Sequence, residues 1–411
     1  MARLVQKYGG TSVKNIDCIK NVAQRIKESY DSGDELIVVV SARAGVTDKL
    51  INDAKKISNV PNQRELDVLL CVGEQETVAL LAIALNKIGV KAVSKLAFQV
   101  GIHTCDSHGS ARIIDIDGGD IEHLLSEKNV VIVAGYQGIT YDSQLTTLGR
   151  GGSDLTALAL AHRFHADRCE IFTDVDGVFT GDPNIIEQAQ FIPSIDFESL
   201  LRLSFFDNKV MQDCAVAFAQ KNDVNFFIRN TFKSLPGTYV SKSLENYESC
   251  VLGITSKKDL CLLSCEFNED VMCDVLNFFR SNNISICFVK HRKIDKTSFF
   301  DEICLNQSDF DTFGEPFLLK FSNACLSYKL FSQLCRIDIV GTNIISNKNI
   351  FTVFDKLTTK ELIRSEYGKH GLSFLLKTSN YASILNMVHN TIFMDSTIKE
   401  PTSLQLTTNS N

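Results

Sequence analysis

The chain has 411 residues, a length that predicts more than one domain. Of these residues 44% are hydrophobic and 22% are charged, a composition typical of a globular protein. Its formal net charge of -7 argues against a nucleic-acid partner, because a protein that binds a phosphate backbone needs a basic face. No continuous apolar run approaches the ~20 residues of a membrane span, and the N-terminal MARLVQKYGG has no signal-peptide pattern, so we expect a cytoplasmic protein without a membrane partner.

Residues 1 to about 240 alternate between strand-like and helix-like runs. Continuous β-branched runs such as ELIVVVSA are typical of strands that are buried on both faces. Amphipathic helices between such runs predict βαβ units and a mostly parallel sheet covered on both sides. The runs, in chain order, are RLVQKYG, IDCIKNVAQRIKESY, ELIVVVSA, ELDVLLCVGEQETVALLAIALNKIG, NVVIVAGYQG, CEIFTDVDG and VNFFIRN.

The character of the chain changes after SLPGTYVS. The strand, helix and strand of CLLSCEF, EDVMCDVLNFFRSNN and ISICFVK are followed by a second series that begins with CRIDIVG. We predict two βαββαβ-like modules, at residues 246–330 and 331–395, after a first domain at 1–245. The polar residues 396–411 are expected to form a disordered tail.

Thirteen cysteines are scattered along the chain, and no two form a CxxC pair. The closest two, Cys261 and Cys265, have the spacing of the buried face of a strand. His162 and His165 stand three apart on a predicted helix, but no third ligand lies nearby in sequence, so a helix surface is favoured over a metal site. We predict reduced, mostly buried thiols and no protein-bound metal.

The first stretch with chemical character is QKYGGTS, which follows the first strand. The chain has no GxxxxGK(S/T) loop, but exposed backbone N–H groups of Gly9 and Gly10 suit phosphate oxygens. Lys7 would add a positive charge for a phosphoryl group in transfer. The alternative is an ordinary strand-to-helix turn with Ser12 as the helix N-cap.

Two further stretches offer polar groups after buried runs. SARAGVTD provides Ser41 and Thr47, although Thr47 could simply cap the next helix. Glu74 in CVGE lies within an apolar stretch, where an unpaired carboxylate is costly to bury, and this favours a cationic partner such as an ammonium group. The alternative is a carboxylate stabilised by the helix macrodipole.

The glycine-rich LGRGGSD and the loop TDVDGVFTGDPN carry the remaining signals. A glycine-rich turn can bind phosphate, bind another substrate or merely turn the chain. The second loop combines carboxylates, hydroxyls and glycines, so it could bind a nucleotide or Mg²⁺, or be a solvated loop of turn formers.

Taken together, KYGGTS, HGSARI, IVAGYQG, TTLGRGGSDLTA and TDVDGVFTGDP resemble the aspartokinases of the amino-acid-kinase superfamily, in the family's order and spacing. The resemblance is close over residues 1 to about 240 and looser beyond. It implies the amino-acid-kinase fold followed by two ferredoxin-like ACT modules, and the monofunctional type of enzyme. It also implies transfer of the γ-phosphoryl group of ATP, with Mg²⁺ as its ion and no tightly bound prosthetic group, to the β-carboxylate of L-aspartate.

The same resemblance assigns roles to individual residues. Catalysis would rest on Lys7, Asp154 and Lys209, with Asp154 orienting the lysine. Arg150 would pair with the α-carboxylate of aspartate and Glu74 with its amino group. The remaining substrate-binding positions are Ser41, Thr47 and Ser153, and the nucleotide-binding positions are Lys7, Gly9, Gly10, Thr173, Asp174, Phe179, Asp182, Lys209 and Val210. LGRGGSD would then lie between the two substrates rather than on the phosphate.

The chain departs from the family pattern in both halves. Asn184 stands where a basic residue is usual, and Asp207 and Asn208 replace small residues before Lys209, which puts nucleotide affinity in question. The first module has EFNEDVM where the family commonly has a Pro-Gly-type turn, so we expect weak or altered feedback inhibition by lysine or threonine. A homodimer or higher homo-oligomer is expected. Two alternatives remain: a catalytically weak regulatory paralogue that senses amino acids, and a kinase for an aspartate-like acid.

Overall fold

The computed structural model describes residues 1–206, 210–242, 251–282, 284–295, 298–358 and 362–393. The chain forms two compact units, the first comprising Met1–Thr180 and Phe191–Glu248, the second comprising Gly181–Gln190 and Ser249–Asn411. Gly181–Gln190 therefore belongs to the second unit although it lies inside the predicted domain 1–245. The boundaries at 245, 330 and 395 stay predictions, and the predicted tail lies outside the described residues.

The first unit is an α/β structure. Its strands are β1 (Arg3–Tyr8), β2 (Glu35–Val40), β3 (Ala92–Lys95), β4 (Ile102–Thr104), β5 (Ile113–Ile116), β6 (Val130–Ala134), β7 (Gln137–Ile139), β8 (Leu145–Thr147), β9 (Arg168–Thr173), β10 (Val178–Phe179), β11 (Phe191–Ile192), β12 (Ser194–Asp196), β13 (Phe226–Asn230) and β14 (Thr238–Ser241). Its helices are α1 (Ile16–Asp31), α2 (Val46–Ile57), α3 (Gln63–Leu70), α4 (Val72–Lys87), α5 (Ala97–Val100), α6 (Ile121–Ser126), α7 (Gly152–Arg163), α8 (Phe197–Phe205) and α9 (Asp213–Asn222).

The central sheet has the strand order β12-β14-β13-β9-β1-β2-β6-β3. The six strands from β13 to β3 are parallel. Strand β14 runs antiparallel to β13, and β12 pairs with β14 in parallel, so these two strands run in the direction opposite to the other six. Residues 36–40 of β2 are buried throughout, as a continuous apolar run between two layers of helices requires. The predicted parallel α/β sheet is confirmed, and the loops after β1, β2, β6 and β9 leave from one edge of it.

The apolar stretch Gln63–Lys87, which contains α3 and α4, is the one segment of the described residues whose length and composition would allow a membrane span. Half of its most apolar window is buried within the protein. Val78, Leu81 and Leu85 of α4 pack in the core against β2 and β6. Because a buried core helix has the same composition, the segment is weak evidence for a membrane span.

The second unit is built on one six-stranded sheet with the order β16-β17-β15-β18-β20-β19. Its strands are β15 (Val251–Phe267), β16 (Ile286–Lys293), β17 (Phe299–Asn306), β18 (Cys325–Gly341), β19 (Leu362–Gly368) and β20 (Gly371–Lys377). Its helices are α10 (Met272–Ser281), α11 (Gln307–Lys320), α12 (Asn349–Thr358) and α13 (Tyr381–Phe393). The described cysteines are free thiols and most are buried, including Cys261 and Cys265 in β15, as predicted.

Two βαββαβ modules share the long strands of this sheet. Residues 260–267 of β15 pair with residues 325–334 of β18 in the first module, whereas residues 251–257 pair with residues 336–341 in the second. The second module therefore takes one strand from a segment that precedes the whole first module. The sequence did not reveal this pairing, because a strand pattern does not identify a pairing partner so far along the chain.

Candidate active site

A buried ion pair joins the end of β1 to the first turn of α7. Lys7 Nζ lies 2.5 Å from Asp154 Oδ1, and the two residues are only 8% and 9% exposed. The positive end of the α7 dipole also favours a carboxylate at Asp154. The pair places an ammonium group, already oriented by its carboxylate, beside the glycine turn that follows β1.

The glycine turn is fixed by a close approach of two backbones. A Cβ atom on Gly10 would lie 2.8 Å from the carbonyl oxygen of Ala42, and Ala44 N donates to the Gly10 carbonyl at 3.1 Å. Only glycine fits here. The alternative role of Ser12 as an N-cap is wrong: Asn15 caps α1 by accepting from Cys18 N, and Ser12 Oγ lies 2.6 Å from Thr231 Oγ1.

Glu74 is a buried carboxylate with half of its hydrogen-bonding capacity unused. Its Oε1 accepts from Ala42 N at 2.9 Å, while Oε2 has no hydrogen-bond partner among the described residues. Burial raises the pKa of Glu74 to about 7. The residue lies in the first turn of α4, so the positive end of the helix macrodipole also stabilises its carboxylate, as the alternative interpretation had it. The unpaired oxygen nevertheless suits a hydrogen-bond donor such as an ammonium group.

The loop after β2 carries the two predicted hydroxyl residues. Ser41 and Thr47 are both half-buried, and Ser41 N donates to the Tyr8 carbonyl at 3.1 Å. The capping role considered for Thr47 is wrong, because Gly45 with φ 81° is the N-cap of α2 and Thr47 is the second helical residue. Thr47 is therefore not engaged as the cap of its own helix.

The turn LGRGGSD leads directly into α7. Gly149 and Gly151 have φ values of 75° and 72°, in the left-handed region that favours glycine. Arg150 between them is exposed and makes no ion pair with any described residue. Ser153 is buried, and a Cβ atom on Gly135, at the end of β6, would lie 2.7 Å from the Ser153 Cβ. The turn thus presents, on a constrained backbone, a guanidinium group that forms no ion pair within the described part of the chain.

The loop after β9 is held by a residue that sequence reasoning missed. Asn230 at the end of β13 donates through Nδ2 to Asp176 Oδ1 at 2.6 Å and to the Asp174 carbonyl at 3.2 Å. Thr173 is half-buried and Asp174 is exposed, so the Asp174 carboxylate is open to a ligand or ion. The signal in the sequence was the polar RN pair at a strand end, where open α/β sheets bind ligands.

The other predicted nucleotide positions lie in several places. Phe179 is half-buried in β10 and packs edge-on against Phe191. Asp182 belongs to the second unit, where its Oδ1 accepts from the Asn184 side chain at 3.0 Å. Val210 is half-buried. Lys209, with Asp207 and Asn208, lies outside the described residues.

The structure brings part of the predicted set together. Lys7 contacts Asp154, and a Cβ atom on Gly9 would lie 3.4 Å from Lys7 Nζ. The backbone after β2 bonds to both the glycine turn and Glu74. The arrangement combines an oriented positive charge at Lys7, a closely packed glycine turn and a buried acceptor at Glu74. Such a set suits a transfer between an anionic group and an amino-bearing ligand.

Comparisons with known proteins agree with this architecture. A model of the amino acid kinase family matches residues 2–230. The chain is 42% identical over 373 residues to an aspartate kinase of Pseudomonas putida, covering 88% of this chain and 90% of the relative.

Two solved structures of E. coli aspartokinase III are similar in fold. The complex with aspartate and ADP has a TM-score of 0.73 at 23% identity, covering 95% of this chain and 99% of that one. The complex with lysine and aspartate has a TM-score of 0.74, with the same identity and coverage. The predicted fold class is confirmed, and the chain belongs to the amino acid kinase family, within its aspartate kinase group.

Proposed function

We propose that this protein transfers the γ-phosphoryl group of ATP to the β-carboxylate of L-aspartate. A β-carboxylate oxygen forms a bond to the γ-phosphorus, and the bond to the bridging oxygen breaks, so that the electron pair leaves with ADP. The product is 4-phospho-L-aspartate, the first intermediate of lysine and diaminopimelate, threonine and methionine biosynthesis. The observation that carries the proposal is the buried Lys7–Asp154 pair beside the glycine turn.

The phosphate side of the site needs charge neutralisation rather than a proton acceptor. The attacking carboxylate is ionised at neutral pH, so no general base is required. Lys7 would contact the transferring phosphoryl group while Asp154 keeps its ammonium group in place. Gly10 would bring its backbone N–H group close to the phosphate oxygens. Gly9, whose N–H donates to the Phe172 carbonyl at 3.2 Å, would leave room for the phosphate to approach the backbone. Lys209 is proposed as the second lysine.

Aspartate would be bound by the Glu74 carboxylate and the Arg150 guanidinium group. The unpaired Oε2 of Glu74 would accept from the α-ammonium group. Arg150 would donate two parallel hydrogen bonds to the α-carboxylate. Ser41, Thr47 and Ser153 would complete the substrate contacts.

The nucleotide would bind at the loop after β9. Thr173, Asp174, Phe179, Asp182 and Val210 are the proposed contacts. Mg²⁺ would arrive with ATP, and it supplies further neutralisation of the phosphate charge when bound. The exposed Asp174 carboxylate is an oxygen donor of the type that Mg²⁺ prefers.

The direct test is to incubate the protein with ATP, Mg²⁺ and aspartate and to trap the acyl phosphate with hydroxylamine. We expect aspartate-dependent hydroxamate, and its absence would contradict the proposed function. The relatives give no support to a regulatory paralogue without activity or to another acid as substrate. A screen of aspartate analogues in the same assay covers the second of these.

Three further properties belong to the proposal. An amino acid such as lysine would act as effector at the modules of the second unit, because E. coli aspartokinase III has been solved with lysine. The protein would be a homodimer or a higher homo-oligomer, which light scattering after size-exclusion chromatography would establish. A cytoplasmic location would suit its free thiols, and cell fractionation would test it.

A further inference from the structure

A further buried carboxylate lies near the site, and none of the roles above uses it. Asp67 in α3 is 1% exposed. It accepts hydrogen bonds from Thr147 Oγ1 at 2.6 Å, from His108 Nδ1 at 2.7 Å and from Gly109 N at 3.0 Å. These donors come from two separate segments, the loop after β4 and the last residue of β8.

Both segments adjoin the turn that carries Arg150. Thr147 precedes Arg150 by three residues, and its carbonyl oxygen accepts from Ala111 N at 2.8 Å, so its backbone and its side chain are both held. Gly149 is in the left-handed region, and a Cβ atom there would lie 3.4 Å from the Gly109 carbonyl oxygen. The carboxylate of Asp67 thus fixes the strand end before the turn and the loop that packs against it.

A positional role accounts for the burial of the Asp67 carboxylate, whose desolvation costs free energy. A buried carboxylate is tolerated only when several donors satisfy it, and such a group constrains the geometry of its donors. Arg150 itself is exposed and held by no ion pair with a described residue, so its direction depends on the backbone of the turn. An ordering of that backbone before the ligand arrives lowers the entropic cost of binding.

We propose that Asp67 is a positioning residue for aspartate recognition, acting on Arg150 through Thr147 and Gly109. It does not touch the substrate. The inference rests on the proposed role of Arg150 and adds to it the group that holds the turn in its binding geometry. Disturbing Asp67 should therefore weaken the binding of aspartate while the binding of ATP is unchanged.

The test uses the full-length enzyme and a nearly isosteric change. Thr147→Val removes the hydroxyl group that donates a hydrogen bond to Asp67, whereas Thr147→Ser keeps that hydroxyl group. We expect Thr147→Val to raise the KM for aspartate about fivefold or more, with kcat and the KM for ATP unchanged, and Thr147→Ser to restore the wild-type value. Asp67→Asn should raise the aspartate KM further, because its amide cannot accept from all three donors.

Two controls separate the possible results. Asp338→Asn changes a carboxylate of similar burial in the second unit, which accepts from Arg336 and Ser373, and it should leave the aspartate KM unchanged. If Arg150→Ala raises the aspartate KM while Thr147→Val and Asp67→Asn do not, the positioning role is overturned and that of Arg150 stands. If Arg150→Ala has no effect on that KM, the substrate role of Arg150 fails, and the present inference fails with it.

Discussion

At the scale of single residues, the proposed site separates groups that would bind aspartate from groups that would act on the phosphate. Arg150 is exposed and forms no ion pair with a residue that the structure describes, whereas Asp154, in the first turn of α7, is buried against Lys7. Arg150→Ala should raise the aspartate KM about 10- to 100-fold, because a charge-assisted hydrogen-bond pair is lost. Asp154→Asn should instead chiefly lower kcat, because Lys7 loses its orientation. Steady-state kinetics with each substrate varied would check both, and an Arg150→Ala effect confined to ATP would contradict the assignment.

Glu74 should make the KM for aspartate depend on pH. Its pKa of about 7 means that the carboxylate is half protonated near neutrality, and only the ionised form attracts an ammonium group. The aspartate KM should therefore fall as the pH rises from 6 to 8. Glu74→Gln should raise that KM about 10- to 100-fold and remove the pH dependence. A Gln variant that keeps the wild-type pH profile would exclude Glu74 as its source.

A rise in pH should improve aspartate binding through Glu74, but it should lower the folding stability through the same carboxylate. The pKa of Glu74 is raised by burial in the folded state, so between its ordinary value of 4.5 and about 7 the folded protein binds more protons than the unfolded chain. The free energy of unfolding should fall as the pH rises through this window. Glu74→Gln should flatten that slope in urea unfolding at a series of pH values. An unchanged slope would mean that other groups dominate.

At the scale of elements, α13 holds the segment Gly181–Gln190 within the second unit. Asn386 donates to the Ile185 carbonyl at 2.8 Å and accepts from Glu187 N at 3.0 Å, while Ile186 packs in the core of the second module. Asn386→Ala should therefore speed hydrogen exchange of the segment's amides. Asn282→Ala is the matched control, since the Asn282 side chain donates to the Phe278 carbonyl at its own helix end and, among the described residues, to no other element. Equal exchange in both variants would show that the Asn386 hydrogen bonds do not secure the segment.

At the scale of the whole molecule, we expect the first module of the second unit to determine the response to amino-acid effectors. Its turn between β15 and α10 contains no glycine, and Met272 N bonds to Asp270 Oδ1 at 3.2 Å. This geometry replaces the usual Pro-Gly-type turn, so we expect weak inhibition by lysine and by threonine, alone or together. Titration of the hydroxamate assay measures this, and strong inhibition at sub-millimolar effector would contradict it.

The sequence by itself determined the parallel α/β sheet and the individual chemistry-bearing motifs. Apolar runs and helical periodicity are local, and the glycines before and after Arg150 meet a local need for left-handed backbone. The family resemblance already implied that Asp154 orients the lysine, and the structure has the two residues in contact. The tertiary structure alone showed that Asn15 rather than Ser12 caps α1 and that Asp67 bonds to Thr147. It also showed that the second module takes a strand from residues 251–257, which precede the first module, and that Gly181–Gln190 joins the second unit. Such contacts join residues far apart in the chain, and no local pattern encodes which distant partner a buried polar group or a strand will find.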